Sequence, residues 1–158
     1  MRREPANLAR AIYGNVLATS LVVAFSEDDA YSPAEIAVSV FVTGLVFWLA
    51  HAYSSLVAER YAVGRRLTRS DVGAEFYAEW PVLQAFFPPI VVLLLGAIGL
   101  LSNDTAITLA IAAGLVSMVL WGLAIGRRDR MSPLALAGMV LFNVLFGAAI
   151  VLLKVFVH

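Results

Sequence analysis

Cysteine is absent from this chain of 158 residues, and charged residues are scarce. Asp, Glu, Lys and Arg together make up 14% of the positions, whereas 61% are hydrophobic. Soluble domains have about 25% charged and about 45–50% apolar residues. Without cysteine the chain has no disulfide framework, thiolate metal site or cysteine nucleophile. The composition therefore favours a membrane protein.

Signatures of common enzymes are missing as well. The chain has no glycine-rich phosphate loop, no H-E-x-x-H and no G-x-S-x-G. Its two histidines, His51 and His158, belong to opposite predicted leaflets, so a bis-histidine haem site within one subunit is excluded. The sequence indicates no enzyme and names no cofactor.

The hydrophobic residues fall in runs of about 20, the length that spans a ~30 Å hydrocarbon core as a helix. The runs lack the alternating pattern of a β-barrel strand, so the predicted class is all-α. The first run is too long for a signal peptide and has no clear cleavage site, so we count it as a membrane helix. The predicted membrane helices lie at about 8–25, 34–58, 82–101, 105–125 and 133–157, in a single domain (1–158) with an amphipathic connector at 59–81.

The distribution of basic residues predicts the orientation of this five-helix bundle. Three arginines precede or begin the first run, four lie in the connector at 59–81, and three lie between the fourth and fifth runs. Only Lys154 lies elsewhere, and the other two loops contain acids such as Asp28 and Asp104. Because Lys and Arg are enriched on the cytoplasmic side, the N-terminus is predicted inside and the C-terminus outside. The membrane topology accounts for the basic loops, so they do not indicate nucleic-acid binding.

The connector contains a predicted short helix at 68–80, with Thr68 or Ser70 as its N-cap. Its aromatic face, with Val72, Phe76 and Trp80, is typical of a helix that lies in the headgroup region. A second interpretation is that its acidic row collects cations. That row consists of Asp71, Glu75 and Glu79.

Ionisable groups at membrane depth are costly and often functional, and His51 is the one clear case in the sequence. It belongs to a polar stripe on the second predicted helix: Ser39, Thr43, Phe47, His51, Ser54 and Ser55. A neutral imidazole there relays protons or binds a cation; the alternative is a hydrogen bond to a neighbouring helix. Asn15 on the first helix has the same two interpretations. Pro88 and Pro89 are expected to kink the third helix, because neither can donate a backbone hydrogen bond.

Three segments resemble the vacuolar iron transporter family, whose members have five membrane helices and a metal-collecting segment between the second and third. They read Arg10-Ala-Ile-Tyr-Gly14-Asn15, Ala50-His-Ala-Tyr-Ser-Ser55 and Trp121-Gly-Leu-Ala-Ile-Gly-Arg-Arg128. The resemblance implies a dimer that exchanges a divalent metal for protons.

This chain departs from the family pattern at its metal ligands. Val16 and Leu17 replace the expected Asp-Gly, and His51-Ala-Tyr53 replaces Gly-Glu-Tyr. The family's methionine on the second helix has no counterpart, and the acidic connector is shorter. The remaining acids that match the family's metal-collecting segment are Glu59, Glu75 and Glu79.

We therefore hypothesise a small transporter or channel for a cation, with divalent-metal or proton coupling, working as a homodimer or other homo-oligomer in the lipid bilayer of a bacterial plasma membrane. The predicted pathway residues are Asn15, Thr43, His51, Tyr53, Ser54, Ser55, Pro88 and Pro89, and the predicted metal ligands at the cytoplasmic mouth are Glu59, Glu75 and Glu79. The alternative is a membrane scaffold or accessory subunit without transport. The feature that favours this alternative is the expected lack of a buried carboxylate.

Overall fold

A computed structural model describes residues 3–26, 30–63 and 68–128, together with isolated positions between 132 and 152. All regular structure in these residues is helical, as predicted. The helices are α1 (Arg3–Phe25), α2 (Pro33–Val63), α3 (Arg69–Ala78), α4 (Trp80–Gln84), α5 (Phe87–Ala97) and α6 (Asn103–Arg128). Most of the predicted fifth membrane helix, 133–157, lies outside the described residues, as do Arg65 and Arg66 of the connector.

Two of the described helices are long and apolar enough to cross a membrane, over Pro33–Tyr61 and Asn103–Ala124. A third candidate span is a broken pair of helices, Arg69–Gln84 and Phe87–Ala97, bent by 54°. The apolar part of α1, Ala9–Phe25, is shorter than these. The described residues thus provide two or three candidate spans and do not support a count of five.

The third helix, predicted at about 82–101 with a kink at its prolines, is divided into α4 and α5 in the structure. Ala85 and Phe86 form a turn between α4 and α5, although both keep right-handed helical dihedrals, and α5 ends at Ala97. Pro88 and Pro89 have no N–H to donate to the carbonyls four residues earlier, so the α-helical ladder fails there. The Phe86 N–H instead donates to the carbonyl of Leu83 at 3.1 Å. The predicted kink is confirmed, and it lies just before the two prolines.

The predicted connector at 59–81 is also shorter than expected, because α2 continues to Val63. Residues such as Glu59 and Arg60 end the apolar run, but both are good helix formers. The helix therefore extends beyond the hydrophobic run that marked it in the sequence.

Hydroxyl side chains cap the helices that follow loops. Ser32 shares hydrogen bonds with the Glu35 side chain at the start of α2. Thr68 accepts from the backbone N–H of Asp71, while the Asp71 carboxylate accepts from the N–H of Thr68, which forms a capping box. Thr68 is therefore confirmed as the cap of α3.

Replacing Thr68 with alanine is expected to destabilise α3 by about 1 kcal/mol, the typical value of such a cap. The hydroxyl that accepts the Asp71 N–H is lost, and the Asp71 carboxylate loses one of its donors. Amide hydrogen exchange in 69–78 measures the effect, and Thr68→Ser is the matched control because it keeps the hydroxyl. Equal protection in the alanine and serine variants contradicts this account of the cap.

The bundle is organised around α1, which packs against α4 and α6, while α2 packs against α5 and α5 against α6. The core consists of small and medium apolar side chains with one large ring, that of Phe86, which lies against Gly44 of α2. Its buried members are Ala18, Val22, Ile36, Ala37, Val40, Val82, Phe86, Ile90, Leu93 and Ala110. This packing brings the start of α1, the end of α2 and the α3–α4 junction together.

Candidate functional site

The most unusual side chain in the described structure is Glu79, a carboxylate that is only 2% exposed. It occupies the turn between α3 and α4, where it ends one helix and begins the next. Pro81 lies in the first turn of α4, where its missing N–H costs no helical hydrogen bond. The Glu79 side chain is buried, whereas those of Asp71 and Glu75 are half-buried.

The two oxygens of Glu79 have different surroundings. Its Oε1 lies 2.9 Å from the Arg10 guanidinium and accepts a hydrogen bond from the Ser55 hydroxyl at 3.1 Å. Its Oε2 is buried and has no hydrogen-bond partner among the described residues. Burying a carboxylate is costly unless the charge is paired and its lone pairs are satisfied. Glu79 is therefore paired on one oxygen and unsatisfied on the other.

Arg10 and Glu79 differ strongly in their access to solvent. The Arg10 side chain is 24% exposed, whereas that of Glu79 is 2% exposed. Arg10 belongs to α1 and Ser55 to α2, so the carboxylate joins two helices to the α3–α4 junction. The expectation that the chain lacks a buried carboxylate is wrong: in the acidic row Glu79 is buried, whereas Asp71 and Glu75 are half-buried.

His51 lies one helical turn before Ser55 on α2. Its ring makes an edge-to-face contact with Tyr13 of α1, with 5.2 Å between the ring centroids. Tyr13 follows Arg10 by three residues on α1, and His51 precedes Ser55 by four residues on α2. The half-buried His51 therefore lies at the same α1–α2 contact as the carboxylate site.

The other pathway residues predicted on α2, Thr43, Tyr53 and Ser54, have no contact with Glu79 among those that the structure shows. Tyr53 is 70% exposed and Ser54 is exposed. The Thr43 hydroxyl donates to the carbonyl of Ser39 within α2 at 2.7 Å. Of the α2 residues proposed for the pathway, Ser55 is the one whose hydrogen bond reaches Glu79.

Asn15 forms a separate polar contact between α1 and α6. Its Nδ2 donates to the carbonyl of Gly114 at 2.8 Å, and its backbone carbonyl accepts from the Thr19 hydroxyl. Its Oδ1 is buried without a partner in the described part of the chain. Asn15 thus makes the interhelix hydrogen bond that one of the two sequence interpretations required, and it leaves one acceptor unused.

The predicted metal ligands are not assembled in the structure. Glu59 and Glu75 are half-buried on α2 and α3, while Glu79 is paired with Arg10. Within the described ranges no three His, Asp or Glu side chains come close enough to hold a metal ion. Pro88 is half-buried and Pro89 buried, where α5 begins. Their place in a pathway remains a prediction.

A group of aromatic side chains includes Trp80, the residue that directly follows Glu79. The aromatic face predicted on the connector contained Phe76 and Trp80, but not the rings of Trp48 and Phe87 that complete the group. Trp48 of α2 lies edge-to-face against Phe76, with ring centroids 5.3 Å apart, and against Trp80 at 5.9 Å. Trp80 in turn lies 6.3 Å from Phe87. We call Trp48, Phe76, Trp80 and Phe87 the aromatic cluster. The Trp48 indole N–H donates to the carbonyl of Phe76 at 3.2 Å, which fixes α3 against α2.

Sequence signals for this site were present but weak. Glu79 directly precedes Trp80-Pro81, the beginning of an apolar run, and Arg10 lies at the start of another run on the same predicted side of the membrane. No periodic pattern connects residues so far apart in the chain.

Comparison with known proteins adds no identification: no family model, no curated protein and no solved structure matches this chain. The resemblance to the vacuolar iron transporter family therefore remains a hypothesis based on the segments quoted above.

Proposed function

We propose that this chain is a small integral membrane protein that transports a cation, with Glu79 as the group that binds it. The observation that carries the proposal is the buried Glu79 carboxylate with its unpartnered Oε2. Polar and ionisable groups retained inside a membrane bundle mark ion or proton pathways by default. The candidate spans in α2 and α6 support the membrane assignment.

The ion pair suggests how binding and release are coupled. A proton or cation that reaches Glu79 competes with Arg10 for the same negative charge. Arg10 is long and partly exposed, so it moves toward water at a lower cost than the enclosed carboxylate does. When the cation leaves, Arg10 returns and neutralises the site. Arg10 thereby prevents an empty, uncompensated carboxylate, which is the most costly state of such a site.

The proposal includes the number and orientation of the membrane spans and the oligomeric state. We propose five spans, a cytoplasmic N-terminus, an external C-terminus and a homo-oligomer in the bacterial plasma membrane. The asymmetry of basic residues supports this orientation, because ten of the eleven lie in segments assigned to the cytoplasmic side.

The test is flux in sealed proteoliposomes with H⁺, K⁺, Mn²⁺ and Fe²⁺ offered separately. Glu79→Gln keeps the shape of the side chain and removes its charge. It is expected to lower flux by about tenfold or more, because a hydrogen bond to a charged group contributes ~1.5–3 kcal/mol. Asp104→Asn is the matched control, since Asp104 is an exposed carboxylate in the first turn of α6.

The outcomes separate the two hypotheses. Flux that needs Glu79 but not Asp104 supports transport through the carboxylate site. Unchanged flux in a folded Glu79→Gln protein removes Glu79 from the mechanism, and His51→Ala in the same assay tests the pathway predicted along α2. An inserted, folded protein that moves none of these ions leaves the scaffold or accessory-subunit hypothesis as the better one.

A further inference from the structure

We infer that the transported substrate is a lipophilic organic cation, held with its apolar body against the aromatic cluster and its charge toward Glu79. This inference rests on the proposed function and adds the class of substrate. The observations behind it are a cluster of four aromatic rings and a buried, half-satisfied carboxylate, linked because Trp80 directly follows Glu79 in the chain. The proposed site combines these aromatic faces with the negative charge.

The rings provide favourable contacts for a weakly hydrated cation. The face of an indole or phenyl ring attracts a cation through its quadrupole, with tryptophan the strongest. Trp80 is 36% exposed and Phe87 39% exposed, so each has surface available at the outer side of the bundle. In a membrane this side meets the interface, where amphipathic rings and lipophilic cations both accumulate. A substrate therefore has access to the cluster directly from the lipid.

The spacing along α2 fits a molecule of moderate size. Trp48 contacts Phe76 and Trp80, and Ser55, two helical turns later, donates to Glu79. Seven residues of α-helix rise about 10 Å. This length matches a cation that carries aromatic or branched groups rather than a bare ion.

The same geometry disfavours a divalent metal. Such an ion must exchange its hydration shell for several oxygen or nitrogen ligands. The part of the chain that the structure describes contains no group of three carboxylate or histidine side chains for this purpose. A bulky monovalent cation needs one counter-charge and an apolar surface, and both are found here.

The native tryptophans allow a direct binding measurement. The chain has three tryptophans, and Trp121 of α6 is the one outside the aromatic cluster. In a Trp121→Phe background the fluorescence reports Trp48 and Trp80 alone. Titration of this protein in lipid vesicles with tetraphenylphosphonium is expected to quench the emission in a saturable way. Tetraphenylborate, an anion of the same shape, controls for simple partition into the lipid and is expected not to saturate.

Two variants in this background test the two halves of the site. Glu79→Gln and Trp80→Ala are each expected to raise the concentration for half-maximal quenching about tenfold, the order of a desolvated ion pair or cation–π contact. Tyr77→Ala is the matched control, because Tyr77 of α3 is close to both residues in the chain but is 81% exposed and outside the cluster. Its titration is expected to follow that of the Trp121→Phe parent.

The result that overturns the inference is quenching that does not saturate, or that is the same in Glu79→Gln as in the parent. Binding and transport are measured separately, so the two proposals fail in different ways. Glu79-dependent flux of H⁺ or K⁺ without saturable tetraphenylphosphonium binding keeps the transporter and rejects this substrate class. Saturable, Glu79-dependent binding without flux of tetraphenylphosphonium, added to the same flux assay, or of any of the four ions keeps the site and rejects transport.

Discussion

Replacing Arg10 with leucine is expected to lower the free energy of unfolding by about 3–5 kcal/mol, the usual cost of removing one partner of a buried ion pair. The loss comes mainly from Glu79, which stays enclosed by α1, α2 and α4 without its counter-charge. Its Oε1 then retains the Ser55 hydroxyl as its hydrogen-bond donor among the described residues.

Glu79→Leu is expected to cost less than Arg10→Leu, although it removes the same ion pair. The reason is the difference in exposure between the partners. Arg10 is 24% exposed and its long side chain reaches water after the carboxylate is gone, whereas Glu79 has no such route. The difference in exposure between the two partners therefore makes Arg10→Leu the more destabilising of the two substitutions.

The double variant Arg10→Leu/Glu79→Leu is expected to recover most of the loss, because apolar residues of similar volume often replace a buried pair without a net cost. Equilibrium unfolding in detergent micelles, followed by tryptophan fluorescence, measures all three proteins. Arg69→Leu controls for loss of a basic residue, since Arg69 is exposed at the start of α3. A double variant as unstable as Arg10→Leu contradicts the assignment of the cost to an unpaired Glu79.

The recovery also separates structure from function. A double variant that folds normally but transports nothing places the ion pair in the mechanism, since its structural role has been replaced. A double variant with normal flux reduces the pair to a structural contact.

Long helices were the part of this fold that the sequence predicted well. The predicted second and fourth membrane helices, at 34–58 and 105–125, correspond to α2 (Pro33–Val63) and α6 (Asn103–Arg128). Long apolar runs between polar segments identify such helices, and hydroxyl caps mark where they begin. The helix ends were less accurate because hydropathy detects where the apolar run stops, whereas the helix continues through residues such as Glu59.

The orientation of Glu79 was beyond this reasoning for a physical reason. At four-residue spacing in one unbroken helix, Asp71, Glu75 and Glu79 lie on one surface row. In the structure one helix ends and the next begins at Glu79, and of these three side chains this one alone is buried. Its partner Arg10 comes from a distant helix, and a single sequence contains no signal for that pairing. The helices could be predicted from local patterns, whereas the site depends on tertiary contacts.

The close approach of α1 and α4 leads to the second prediction with a large effect, at Gly14. A Cβ atom at this position would collide with the backbone carbonyl oxygen of Val82 and lie 3.1 Å from the Cβ of Ala85. A backbone atom cannot rotate away as a flexible side chain does, so α1 and α4 must separate. Gly14→Ala is expected to destabilise the protein by about 1–3 kcal/mol, the usual cost of overpacking.

Gly73 in α3 provides a matched control with the opposite sign. A Cβ there meets nothing within 4 Å, so Gly73→Ala adds no contact that strains the fold. It is expected to stabilise α3 by about 0.5–1 kcal/mol, because alanine loses less conformational freedom in a helix interior than glycine does. The same substitution at the two positions should therefore differ by roughly 1.5–4 kcal/mol.

Thermal unfolding of both variants under identical detergent conditions measures this difference. Gly14 lies between Tyr13, which contacts His51, and Asn15, which donates to Gly114, so a shift of α1 also disturbs both neighbours. Loss of stability with loss of flux in Gly14→Ala links the α1–α4 contact to the carboxylate site, since Arg10 is presented by the same helix. Equal stability of Gly14→Ala and Gly73→Ala would show that α1 and α4 are not in close contact, and the geometry proposed around Glu79 would lose its support.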